Sequence, residues 1–257
     1  MIYVIFGKLG NKTLLFFEEF GRIAVLFFDI LKEAPLLVKK RRLVLSQMEH
    51  IGVNSLPLVI IIAIFTGAVA AWQAAYQLKG LAPLSFLGTA TSRAIITELG
   101  PVLTGIIIAG RVGASIAAEI GSMKVTEQID ALETMGINPV RFLAMPRFFA
   151  SIFMLPVLII FADVIAVIGA YLVSNYFLGI SFDVFFFSVK RFFAMGDFTF
   201  GMFKGMVFGG LTALLGCHIG FSTVGGAEGV GLSTIKAFVY ASAVILISDY
   251  VLWSIIF

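Results

Sequence analysis

Apolar positions in this chain come in runs longer than a soluble core uses, and the polar positions between them cluster rather than alternate. Five runs are long enough to cross a hydrocarbon layer as helices, which takes about 20 residues. They cover about 52–77, 90–114, 148–178, 200–222 and 237–257. Trp72 and Tyr76 near the far end of the first run suit an aromatic belt, and Pro156 offers a kink in the third. Ahead of these runs, Leu14, Phe17, Phe20, Ala24, Phe27 and Leu31 recur at three- and four-residue steps within 13–31. Glu18, Glu19, Arg22 and Asp29 interrupt that segment, so it reads as an amphipathic helix lying in the membrane interface. Between the third and fourth runs, "GISFDVFFFSVKRFFAMGDF" is aromatic but broken by Asp183, Lys190, Arg191 and Asp197, and reads as an interfacial segment on the outer face. The expected architecture is an all-α polytopic membrane protein. Residues 1–50 carry an interfacial helix and a basic segment, and 51–257 carry the five spans.

One polar interruption is patterned. In "AEIGSMKVTEQIDALETMG", residues 118–136, Val125, Ile129, Leu132 and Met135 step by four, three and three. Glu127, Asp130 and Glu133 step by three on the other side. Thr126 stands where an N-cap belongs, Gly136 where a C′ glycine belongs, and Pro139 stops continuation. The spacing predicts a short helix over about 125–135 between the second and third spans, apolar on one face and acidic on the other. An ordinary solvated loop helix and a contact that receives force from a cytoplasmic motor both fit this pattern.

Composition agrees with the membrane reading: 60% of the 257 residues are hydrophobic and 13% charged, about half the charge of a soluble domain. The net charge of +3 sits at segment ends, which favours membrane positioning over nucleic-acid binding. Lys8, Lys12, Arg22, Lys32, Lys39, Lys40, Arg41 and Arg42 precede the first span; the first outer loop has only Lys79. The loop after the second span carries Lys124, Arg141 and Arg147. This bias places the N-terminus in the cytoplasm and the C-terminus outside, with Lys190 and Arg191 running against it. The first residues lack the order of a signal peptide and read as retained. Cys217 stands alone, so no disulfide forms within the chain.

No soluble-enzyme constellation is present. His50 and His218 lie in different segments, no HExxH or CxxC occurs, and no GxxxxGK[ST] phosphate loop is found. "GGAEGVG" at 225–231 reads as a flexible turn. Gly201, Gly205 and Gly209 form two GxxxG steps on one face of the fourth span, and Ala109 and Gly113 a similar pair in the second. Such small residues mark helix–helix contacts in lipid, within one chain or between two. Glu98, Asp163, Lys204 and Asp249 fall inside apolar runs. Each is costly there unless paired or hydrated. A polar cavity lining and a packing ion pair, with Lys204 against Glu98 or Asp163, are both open for Glu98 and Lys204. Asp163 and Asp249 read as packing residues. Arg111 lies near the inner end of its span, where it can snorkel.

"ELGPVLTGIIIAGRVGASIAAEIGSMKVTEQIDALETMGINPVRFLAMPRF", 98–148, strongly resembles the central signature of the MlaE/YrbE family of permeases. "GCHIGFSTVGGAEGVGLSTIKAFV", 216–239, resembles its C-terminal signature, and "FADVIAVIGAY", 161–171, is similar too. The likeness covers roughly 50–257. It implies a homodimeric permease of a lipid ABC transporter in the bacterial inner membrane. Two cytoplasmic ATPase subunits would carry ATP and magnesium, so this chain would need no cofactor. An MCE-domain hexamer would sit on the periplasmic side, and phospholipid would be the substrate. The family's coupling-helix region falls on Glu119 to Met135. Its lipid pocket implies roles for Gln73, Tyr76, Glu98 and Lys204. Some members carry an arginine directly before that glutamate; this chain has Thr97, and Arg93 one turn earlier stands ready to supply the charge. An ion-coupled carrier using Glu98 and Asp163, and a non-transporting anchor for an MCE complex, are the alternative readings.

Overall fold

The computed structural model describes the backbone over residues 2–256 and the side chains of residue 14 and of 17–255. Lys8 and Lys12, counted in the charge bias, have side chains outside the described residues. Among the described residues every regular element is helical: α1 (Ile2–Lys32), α2 (Arg41–Ile51), α3 (Leu56–Leu78), α4 (Leu87–Ala94), α5 (Gly100–Ile108), α6 (Ala114–Val125), α7 (Gln128–Thr134), α8 (Met145–Leu178), α9 (Phe182–Arg191), α10 (Met195–Phe221) and α11 (Gly226–Ile256). Three π-helical segments, Ile95–Leu99, Ala109–Gly113 and Val140–Ala144, join α4 to α5, α5 to α6, and lead into α8. Five stretches among the described residues are long and apolar enough to span a membrane: Arg41–Leu78, Leu84–Val125, Val140–Leu178, Met195–Phe221 and Gly226–Ile255. The protein is an all-α, multi-pass membrane protein.

Backbone-to-backbone contact at glycines holds the bundle together. A Cβ on Gly67 of α3 would lie 1.7 Å from the Ala166 carbonyl of α8, and one on Gly169 would lie 2.3 Å from the Ile64 carbonyl of α3. The two helices therefore meet reciprocally, with no side chain between them, where dispersion drives association. The glycine stripe of α10 makes its contacts within the chain. Gly201 faces the Ile96 carbonyl, Gly205 faces Pro156 and Ile159, and Gly209 faces the Ser151 carbonyl. Gly113 packs on Thr212 of α10. Pro156 sits inside α8, which runs on through it as one helix.

Several expectations are revised. "GGAEGVG" is not a free turn: the reversal is made at Gly225 (φ +94°) and Gly226 (φ +69°), and the remainder is the first turns of α11. Thr223, at that reversal, fills the space over Gly121 of α6 and bonds Ser233 of α11 at 2.8 Å. The patterned helix is α7, Gln128–Thr134, shorter than 125–135, because α6 continues through Val125. Thr126 does not cap it: its hydroxyl donates back to the Ser122 carbonyl of α6. The break falls at Glu127, a non-glycine residue at φ +59°. The far end is as the sequence implied, with Gly136 at φ +73°. Its N–H bonds the Glu133 carbonyl at 2.9 Å, and the Ile137 N–H bonds the Leu132 carbonyl at 2.9 Å, a Schellman closure. The helix predicted over 13–31 begins at Ile2; Leu26 and Ile30 turn inward, while Leu14, Phe17 and Phe20 face outward.

Candidate functional site

The second span carries the chemistry, and Pro101 explains its shape. In a regular α-helix the N–H at 101 would bond the Thr97 carbonyl; proline has none. The chain widens to a π-turn over Ile95–Leu99, with the Gly100 N–H reaching back to Ile95. Such insertions often mark functional positions. The Thr97 carbonyl left without its helical donor is taken by Lys204 Nζ at 3.2 Å.

Lys204 is fully buried on α10. Its ammonium donates to Glu98 Oε1 at 2.8 Å and lies 2.7 Å from Asp249 Oδ1 of α11, the latter an ion pair without hydrogen-bond alignment. The rings of Phe200 and Trp253 stand 4.9 and 5.2 Å from Nζ. With the Thr97 carbonyl, five groups thus replace the water an ammonium would lose in the bilayer. Lys204 pairs with Glu98 and Asp249 and not with Asp163, so Asp249 belongs to the charged cluster as well as to helix packing. Asp163 is 4% exposed, and both carboxylate oxygens lack a hydrogen-bond partner among the described residues. It packs on Gly100, where a Cβ would come within 1.8 Å of Oδ1.

Arg93 does not join the cluster. It pairs with Asp197 at 3.0 Å, and the two line a cavity of about 400 Å³ with Thr97 and Trp253. Trp253, which sequence reasoning missed, thus stands between that cavity and Lys204. Its signal was position: it lies four residues after Asp249 on one helix face. Gln73 and Tyr76 are elsewhere. Tyr76, 80% exposed, borders a separate cavity of about 490 Å³ with Trp72, Lys79 and Leu178.

At the α7 end, Ile129 is buried and Leu132 half-buried against the bundle, while Val125 ends α6 and Met135 is 72% exposed. The expected apolar face therefore splits: its middle roots the helix and its end points outward. Asp130 pairs with Lys124 at 2.8 Å. Glu133 lines a cavity of about 430 Å³ with Ile129, Asn138 and Phe221. Glu119 is committed internally, to buried Arg147 at 2.9 Å and to Ser115. Arg111 does not merely snorkel; it donates to Ser55 Oγ and to the His50 carbonyl, tying the second π-segment to the start of α3. Two further ties were not foreseen. Glu33, just after α1, grips Arg141 through two bonds of 2.7 and 3.1 Å, and Glu19 meets His218 at 2.9 Å.

The family model for the MlaE permease matches residues 44–255. The chain belongs to the MlaE permease family. A probable ABC transporter permease of Rickettsia typhi is 37% identical over 260 residues, covering all of this chain and 99% of its own. A probable ABC transporter permease of Synechocystis is 39% identical over 212 residues, covering 82% of this chain and 81% of its own. The intermembrane phospholipid transport system permease protein MlaE of Haemophilus influenzae is 31% identical over 258 residues, covering 100% and 99%. This MlaE-family chain is a permease subunit of an ABC transporter, and both the buried charge cluster and α7 lie inside the matched region.

Proposed function

We propose that this permease moves phospholipid between the inner membrane and the outer envelope, as the name of its Haemophilus relative, an intermembrane phospholipid transport permease, suggests for that protein. The observation that carries the reading is the Glu98–Lys204–Asp249 cluster, held inside the spans beside the cavity of Arg93, Thr97 and Trp253. A fixed polar group bordered by apolar walls suits a molecule with a charged head and long tails. In this reading two copies pair, and the surfaces of Gln73 and Tyr76 complete the lipid path from the facing protomer. The N-terminus lies in the cytoplasm and the C-terminus in the periplasm. A partner ATPase, with its own ATP and magnesium, docks at the α7 end, and an MCE-domain hexamer caps the opposite end. Ile129 and Leu132 anchor α7 while Met135, Glu127 and Glu133 offer the contact, so ATPase motion passes into α6 and α8.

The test is reconstitution in liposomes with the ATPase subunit and a fluorescent phospholipid. ATP-dependent lipid movement is expected, with photocrosslinkers at Tyr76 and Glu98, which are accessible where Lys204 is not, labelling lipid. Lipid movement driven by an ion gradient without the ATPase would overturn the reading. For the docking part, E127K/E133K is expected to weaken ATPase binding; unchanged affinity and hydrolysis would remove the acids from the contact.

A further inference from the structure

Lys190 and Arg191 lie on the end of the bundle opposite α7, where the charge pattern along the chain is otherwise poor in basic residues. They close the last turn of α9, and α9 is not a loose surface helix. Gly88 of α4 lets it approach so closely that a Cβ there would sit 2.4 Å from the Phe185 carbonyl. Thr89 bonds Ser188 twice, N–H to Oγ at 3.0 Å and Oγ1 to carbonyl at 2.9 Å. Phe185 is fully buried, and Tyr171 of α8 meets Phe182 edge-to-face at 5.5 Å and packs tilted against Phe186 at 5.4 Å. The helix is therefore a fixed wall.

Beside it lies a cavity of about 650 Å³ bounded by Ser85, Phe86, Phe186, Phe187 and Phe192, with Lys190 and Arg191 also on its rim. Its size is that of a site for a small molecule. Phe187, at 64% exposed, and Phe182, at 56%, make its walls continuous with the apolar outer surface of a membrane-spanning bundle, so lipid is what surrounds it. Asp183 at the other end of α9 leaves the rim with one net positive charge. We infer that this groove holds a single anionic phospholipid, its tail along the phenylalanines and its headgroup phosphate between Lys190 and Arg191. The site is distinct from the Lys204 cluster and does not depend on the transport reading above. The bland role for these two cations is to complement the α9 dipole; that role predicts a change in stability and none in lipid retention.

The experiment uses full-length permease in detergent micelles containing phosphatidylglycerol or phosphatidylcholine, with bound lipid counted by native mass spectrometry. Wild type should retain phosphatidylglycerol in preference. K190Q/R191Q should lower that retention about thirtyfold, since two cations near an anionic headgroup contribute about 1 kcal/mol each, and leave phosphatidylcholine unchanged. K190R/R191K should keep it, and S85W, at an exposed rim position, should displace the same lipid by filling the groove. Unchanged phosphatidylglycerol in K190Q/R191Q or in S85W would overturn the proposal. So would equal loss of both lipids, or loss of a bound acidic protein with lipid retention intact.

Discussion

Replacing Lys204 with methionine should destabilise the protein more than any surface change, because it removes the only cation among the described residues that pairs with Glu98 and Asp249 while nearly keeping the side chain's length. Removing one partner of a buried ion pair costs about 3–5 kcal/mol. Here two acids lose their counter-charge and the Thr97 carbonyl loses its donor. Glu98 keeps access to its surroundings, with a side chain 36% exposed, which screens part of the effect. The lower end of the range, about 3 kcal/mol, is therefore expected. In a chain of this size each kcal/mol moves the midpoint by roughly 2–4 °C, so Tm should fall by about 6–12 °C. The assay is thermal unfolding of detergent-purified protein, followed by tryptophan fluorescence. The companion variant K204M/E98Q/D249N carries no unpaired charge and should recover most of the loss, because neutral groups cost far less to bury. A K204M midpoint within about 1 °C of wild type would refute the reasoning. A triple variant as unstable as K204M would show that shape, not charge, holds this site.

Three other outcomes follow from local geometry. G67A should lower the unfolding midpoint, by about 1–3 kcal/mol of overpacking, since its methyl would meet a backbone carbonyl that cannot rotate away; an unchanged midpoint would contradict the α3–α8 contact. G136A should cost about 1 kcal/mol through its positive φ and loosen the end of α7, seen as faster proteolysis between Met135 and Arg141. E127G should raise stability by about 1 kcal/mol, because a side chain at φ +59° is strained where glycine is not; a loss of stability would mean that the Glu127 side chain does more than its backbone indicates.

Much of the site was legible because intramembrane charge is rare. Glu98, Asp163, Lys204 and Asp249 stood out in apolar runs for that reason alone. Which of them meet was not legible: Glu98, Lys204 and Asp249 lie on three different helices, and periodicity says nothing of how helices rotate against one another. Arg93 shows the same limit. One helical turn from Thr97, it could reach either way, and the nearness of Asp197 decided it. Thr126 failed as a cap of α7 because cap preference assumes a helix begins there, whereas α6 runs up to Val125 and Thr126 closes that helix, its hydroxyl turned back to the Ser122 carbonyl.

The sequence by itself determined the class, the number of crossings, the small-residue stripes and the Schellman end of α7. Each of these follows from local chemistry: apolar length, side-chain size, or a glycine at positive φ. Tertiary structure alone decided that the α10 glycines face this chain's own α8 and second span, that Lys204 binds two acids between two aromatic rings, and that the first turns of α11 replace a predicted loop. These depend on which faces meet at close range. In a bilayer nearly every face is apolar, so hydrophobicity cannot choose among them and close backbone fit and paired charge must.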